Sequence, residues 1–171
     1  MKDRNPTFLS FRPIELADLR RLLDLAIADR EMFFREHPDW AEQYAGRVLG
    51  TALCQGAALH YVRPDHGIND FDVYTFYASH PARHWYAKRI KQVDFGNEKF
   101  GVSESTRPGF VGRRVDLMGR DLPVPPGTPL ADALRHYLAT GKTSTARELA
   151  AKGVVLLEPV REMGRVVWPV S

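Results

Sequence analysis

The chain reads as an α/β domain with a mixed sheet, flanked by helical segments at both ends. Two observations predict this. Apolar residues recur at helical spacing near each end, with Leu16, Leu19, Leu23, Ala26 and Ile27 forming one stripe of residues 13–36. Between the ends, strand-like runs of period two alternate with helical stretches: "DFDVYTF", "IKQVDFG" and "GRRVDLMG" each switch faces residue by residue.

The elements follow in order. Residues 13–36 predict an amphipathic helix opening at Pro13, and a second helix follows Pro38 with Trp40, Tyr44 and Val48 inward. "TALCQGAALHYV" (51–62) predicts a short apolar strand, a glycine and a brief helical turn. The strand bearing Asp70 and Asp72 comes next, then "SHPARHWYAKR" (79–89), a predicted helix with Ser79 as N-cap. Residues 90–96 place Val93 and Phe95 on one face and Gln92 and Asp94 on the other. Residues 112–119 place Val115 and Leu117 opposite Arg114, Asp116 and Met118. Between these two strands, 97–111 carries Gly101, Pro108 and Gly109 and predicts a mobile surface loop. The proline-rich joint 121–129 precedes helices near 129–139 and 144–152, with Thr128 as cap and Pro129 at the first helical position. "GVVLLEP" and "GRVVWP" close the chain as two short strands. The chain thus divides into N-terminal helices (13–50), a core (51–120) and a C-terminal part (127–171), within one domain of 171 residues.

Composition narrows the functional classes. A content of 44% hydrophobic and 26% charged residues is that of a soluble globular protein. The formal net charge is +3 with a pI near 9.1. That mild basic bias suits a phosphate-bearing ligand, and no run of Lys or Arg marks a nucleic-acid tail. Cys54 is the only cysteine, which excludes an intrachain disulfide and a cysteine-based zinc site. No segment resembles a signal peptide or a membrane span, so a cytoplasmic protein without a membrane partner is expected.

Three acids stand on strands otherwise built for burial: Asp70, Asp72 and Asp116. Asp70 and Asp72 share a face, with Cα atoms roughly 6–7 Å apart. At an effective dielectric near 20 their carboxylates repel by about 2 kcal/mol, a cost that water, a basic side chain or a metal ion must offset. If their strands are neighbours, Asp116 joins them. An all-oxygen set suits Mg²⁺ or Mn²⁺. Upstream, Gly56 follows an apolar strand and opens a helix, where backbone N–H groups can receive a phosphate. Arg113, Arg114 and Arg120 flank Asp116. Arg114 shares its face, and can neutralise the acids or contact a substrate phosphate.

This order of parts resembles the nucleotidyltransferase superfamily typified by DNA polymerase β, and most closely its small bacterial members, including the abortive-infection type. The likeness covers about residues 51–120 and rests on "QGAALHY … INDFDV" with a later strand carrying one Asp. It implies a nucleotidyltransferase-like mixed sheet and transfer of a nucleotidyl group from a nucleoside triphosphate to an acceptor hydroxyl. Asp70 and Asp72 would bind the metals, Asp116 would complete the site and help activate the acceptor, and Gly56 with Ala57 would hold the β- and γ-phosphates. The family usually has Gly-Ser or Gly-Gly where this chain has Gly56-Ala57, which keeps the backbone N–H but lacks the hydroxyl. Two other readings use the same residues: a degenerate relative acting as a binding or regulatory module, and a metal-dependent phosphohydrolase or nuclease with water as acceptor.

Other features read as structural. Asp94 competes for the place of third acid, but the "RRVDLM" context ranks Asp116 above it. "GKTS" at 141–144 lacks the earlier glycine and preceding strand of a phosphate-binding loop, so Gly141 ends one helix and Thr143 or Ser144 caps the next. His80 and His84 are four apart, yet without HExxH or a cysteine they read as surface histidines. His60 reads as a satisfied, partly buried histidine beside the glycine turn, Cys54 as a buried small residue, and Trp85 and Tyr86 as core rather than a base-stacking platform.

Overall fold

A computed structural model describes residues 9–86 and 88–169. Among them six strands form one mixed sheet: β1 (Val48–Cys54), β2 (Phe71–Ala78), β3 (Lys91–Asp94), β4 (Arg114–Leu122), β5 (Val154–Glu158) and β6 (Val166–Trp168). Their spatial order is β3-β4-β2-β1-β5-β6. Only β2 and β4 run parallel; every other neighbouring pair is antiparallel. The closing strands β5 and β6 therefore extend the same sheet, joined to it through β1.

Helices cover both faces. α1 (Leu16–Glu36) and α3 (Gln55–Val62) pack on one side, where Leu19, Leu22, Leu23, Ala57 and Ala58 meet Leu53, Phe71, Val73, Val115 and Leu117. α4 (Leu130–Thr140) and α5 (Ser144–Ala151) cover the other with Leu130, Leu134, Leu138 and Leu149 against Tyr74, Phe76, Leu122 and Leu156. Each fully buried leucine contributes about 1.5–3 kcal/mol of apolar transfer. The alternation along β2 and β4 sets this division. Val73, Val115 and Leu117 face α1, and Tyr74, Phe76 and Met118 face α4.

α1 begins three residues after Pro13, because the Asp18 carboxylate accepts the Glu15 backbone N–H at 2.8 Å and closes the first turn there. Leu16 is consequently exposed rather than part of the buried stripe. The helix after Pro38, α2 (Pro38–Tyr44), is short, and Val48 belongs to β1 instead. Gly50 lies at a bulge with φ +152°, where a side chain would meet the Glu158 carbonyl at 2.2 Å.

Two local expectations fail. Thr128 does not cap α4; its hydroxyl donates to the Pro125 carbonyl, and Pro129 takes the cap position. The expected helix over 79–89 is not formed among its described residues, residue 87 lying outside them. Its polar groups bond to other parts of the fold. Ser79 N–H extends the β4 pairing by donating to the Leu122 carbonyl, and its hydroxyl donates to Asp121. The Tyr44 hydroxyl takes the Arg83 carbonyl at 2.6 Å. Trp85 stacks on Tyr77 at 4.1 Å within an aromatic cluster including Phe33, Trp40 and Tyr44. Its indole lies so close to Gly119 that any Cβ there would be 2.2 Å away. Tertiary packing overrides local helix preference in this segment.

Candidate functional site

The parallel β2–β4 pair builds the site. Its register sets Asp72 directly beside Asp116, and Asp70 lies one residue before β2. Adjacent strands are about 4.8 Å apart, so two ionised carboxylates in register repel by about 3 kcal/mol at an effective dielectric near 20. All three acids line one cleft at the start of these strands.

The guanidinium of Arg114, one turn of the pleat before Asp116, answers this charge. Its Nη2 donates to Asp70 at 2.6 Å, and its Nε stands 3.1 Å from Asp116 Oδ1. Nη1 donates to the Ser105 carbonyl at 3.3 Å, tying the acids to the 97–111 loop. The contact with Asp116 is an ion pair without hydrogen-bond alignment, so Arg114 Nε and Asp116 Oδ1 are both buried with no hydrogen bond. Asp72 has no ion pair at all among the described residues. Burial, reinforced by Asp70 and then Asp116, pushes its pKa up to about 7. Burial also raises Asp116, against the pull of Arg114.

The second wall is the start of α3. The strand-to-helix turn puts Gln55 at φ +59°, an uncommon conformation for a residue with a side chain. Gln55 and Gly56 line the cleft. The Gln55 N–H is taken by the Gly153 carbonyl, and no side chain caps the helix. A Cβ on Gly56 would meet only His66 Nε2, in ordinary contact at 3.6 Å. Ala57 differs from expectation: it does not line the cleft, and its methyl is buried against the α1 core. A hydroxyl at that position would have pointed inward.

Lys152, His66 and Asn69 are among the cleft residues outside the set predicted from sequence. Lys152, at the end of α5, reaches the acids from eighty positions downstream and lowers the Asp72 pKa slightly against its rise. His66 and Asn69 come from the turn before β2, and Asn69 Oδ1 is buried without a partner. "HGIND" offered a local signal for those two; nothing local marks Lys152.

The competing residues are elsewhere. Asp94 clasps the N–H groups of Gly96, Val111 and Gly112 at 2.9, 2.7 and 2.9 Å. Burial alone would raise its pKa, and these donors more than reverse that. Arg113 is fully buried and donates to the Phe100 and Asn69 carbonyls, a structural role. His60 is buried against the Arg12 carbonyl, and Cys54 is buried in β1. His84 pairs with Asp121 while His80 accepts from Ala82 N–H, so they do not act together. Thr143 caps α5 by accepting from Ala146 N–H at 3.1 Å, and Gly141 ends α4.

As a metal site the cleft offers the right donors, all oxygen, and one orphaned buried carboxylate oxygen. Among the described residues, no three His, Cys, Asp or Glu side chains stand as a closed ligand group, because Arg114 lies between Asp70 and Asp116. Among those residues, too, no helix is long and apolar enough to cross a membrane. Compared with known proteins, the chain matches no family model, no curated protein and no solved structure.

Proposed function

We propose that the chain is a metal-dependent nucleotidyltransferase, moving a nucleotidyl group from a nucleoside triphosphate to an acceptor hydroxyl. One observation carries the reading: three carboxylates from two in-register parallel strands share a cleft with a glycine-bearing helix start. That is the order of parts on which the resemblance to the polymerase β-like superfamily rests.

In this reading Asp70, Asp72 and Asp116 hold Mg²⁺ or Mn²⁺. The bound ion supplies positive charge against the negative charge developing on the phosphoryl group. Asp116, whose pKa burial raises, would ligate one ion and favour deprotonation of the acceptor hydroxyl. The backbone at Gly56, which lines the cleft, receives the terminal phosphates. Arg114 and Lys152 add cationic partners, and Arg114 leaves the acids as the triphosphate enters.

Ala57 and the occupation of Asp70 and Asp116 by Arg114 favour one second reading, a catalytically degenerate binding or regulatory module. Incubation with each nucleoside triphosphate and Mg²⁺ or Mn²⁺ separates the cases. Pyrophosphate release that is lost in Asp72→Asn supports nucleotidyl transfer. Release of inorganic phosphate alone indicates a phosphohydrolase, and neither product leaves the binding module.

A further inference from the structure

A second cavity, of about 470 Å³, opens at the other end of β4, between its last residues, the segment after β2, and α4. It shares no lining residue with the acid cleft. Four residues of strand, about 13 Å, separate Asp116 from Arg120. The volume is that of a small-molecule site. Its wall is mainly apolar, formed by Trp85, Leu122, Val124, Ala133 and Tyr137.

One cation stands in this wall without a counter-ion. Arg120 donates through Nη2 to the Thr145 hydroxyl, and its Nε is buried with no hydrogen bond. No carboxylate lies within ion-pair distance of it among the described residues. Its sequence neighbour Asp121 also lines the cavity but makes no ion pair with it. Asp121 is already engaged by the Ser79 hydroxyl at 2.9 Å and His84 Nδ1 at 2.8 Å. A half-buried guanidinium beside an apolar cavity, with most of its five N–H donors unspent, is matched by a planar anion carrying an apolar body. A single cation selects a monoanion, and the fork geometry of the guanidinium selects a carboxylate.

We infer that this cavity binds a small amphipathic carboxylate, an aromatic or branched aliphatic monoacid, through the Arg120 guanidinium and the Trp85–Tyr137 wall. The inference does not depend on the nucleotide reading, since the two sites have no residue in common.

The test uses 3-phenylpropionate and its uncharged amide as probes, titrated by calorimetry and by NMR of the tryptophan indole N–H groups. Wild type should bind the acid with Kd below about 1 mM and the amide at least about tenfold more weakly. The Trp85 indole resonance should move, while that of Trp168, which donates to the Ala150 carbonyl, stays fixed. Arg120→Gln should abolish the preference for the acid, and Arg120→Lys should retain part of it. Thr140→Trp, at an exposed position on the cavity wall, should block both probes by filling the space. Equal binding of acid and amide, an unchanged Kd for the acid in a folded Arg120→Gln protein, or no movement of Trp85 at 10 mM probe would each overturn the inference.

Discussion

The two ends of the β2–β4 pair handle charge in opposite ways. At the starting end, Asp72 and Asp116 sit side by side in register, and one guanidinium, that of Arg114, is shared between Asp70 and Asp116. At the finishing end, Arg120 and Asp121 are adjacent in sequence and line one cavity, yet have different partners. Asp121 is satisfied by a hydroxyl and an imidazole, and Arg120 has no carboxylate partner among the described residues. The first end holds repulsion that Arg114 partly offsets and that a bound cation would offset further. The second stores an unanswered positive charge beside apolar walls. A strand pair buried on both faces can carry such charges only near its ends, where a cleft admits solvent or ligand.

The sharpest way to break this contrast is to remove the cation at the starting end. In metal-free buffer at pH 7.5, Arg114→Met should destabilise the fold by about 3 kcal/mol, because Asp70 and Asp116 lose their only ion-pair partner among the described residues. Urea unfolding reads this directly, and a loss under 1 kcal/mol would show that water alone compensates the acids.

Next in size is the pH dependence of Asp72. Its folded pKa near 7 lies above the unfolded value of about 3.9, so the native state holds the extra proton between those limits. Its contribution to stability is complete below pH 4 and is lost as pH rises through 7. Asp116 is shifted the same way and adds to the trend. With chelator present, Asp72→Asn should be more stable than wild type at pH 8, by on the order of 2 kcal/mol, and indistinguishable from it below pH 4. Denaturant midpoints across this range check the sign; a gap that grows toward low pH would contradict it.

The finishing end should respond more mildly. Ser79→Ala removes a donor from a carboxylate that is only 8% exposed, and should cost about 1 kcal/mol. His84 is 88% exposed, so His84→Ala should cost only a few tenths. If the histidine variant proved the more damaging, Asp121 would depend on the imidazole and not on Ser79.

The same contrast explains what the sequence made legible. At the starting end the information is local: "DFDV" and "RRVDLM" alternate, so their acids were assigned to one face before any pairing was known. Parallel register then brought them together. The α/β class and α1 followed from periodicity for the same reason, although α1 begins at its Glu15–Asp18 clasp and not at Pro13, while proline, glycine and cap signals marked the other helices. Long-range residues were invisible. Lys152 enters the cleft only because β5 pairs with β1 and carries the end of α5 alongside. The segment 79–89 misled for a physical reason: Ser79 offers a helix cap, but Ser79, Arg83 and Trp85 are each held by a distant partner in β4, α2 or the aromatic cluster. The finishing-end cavity, which that segment helps to wall, was hidden with it.

The central claim is that the acid cleft serves a nucleotide with a divalent ion. The most direct measurement is thermal unfolding with each nucleoside triphosphate, with and without Mg²⁺ or Mn²⁺, on wild type and on Asp70→Asn/Asp72→Asn. At a hundred times its Kd a ligand adds about 2.7 kcal/mol, a rise of roughly 5–10 °C for a domain of this size. Wild type should show a metal-dependent rise of that size, and the double variant none. No rise with any triphosphate, or an equal rise in the double variant, would contradict it.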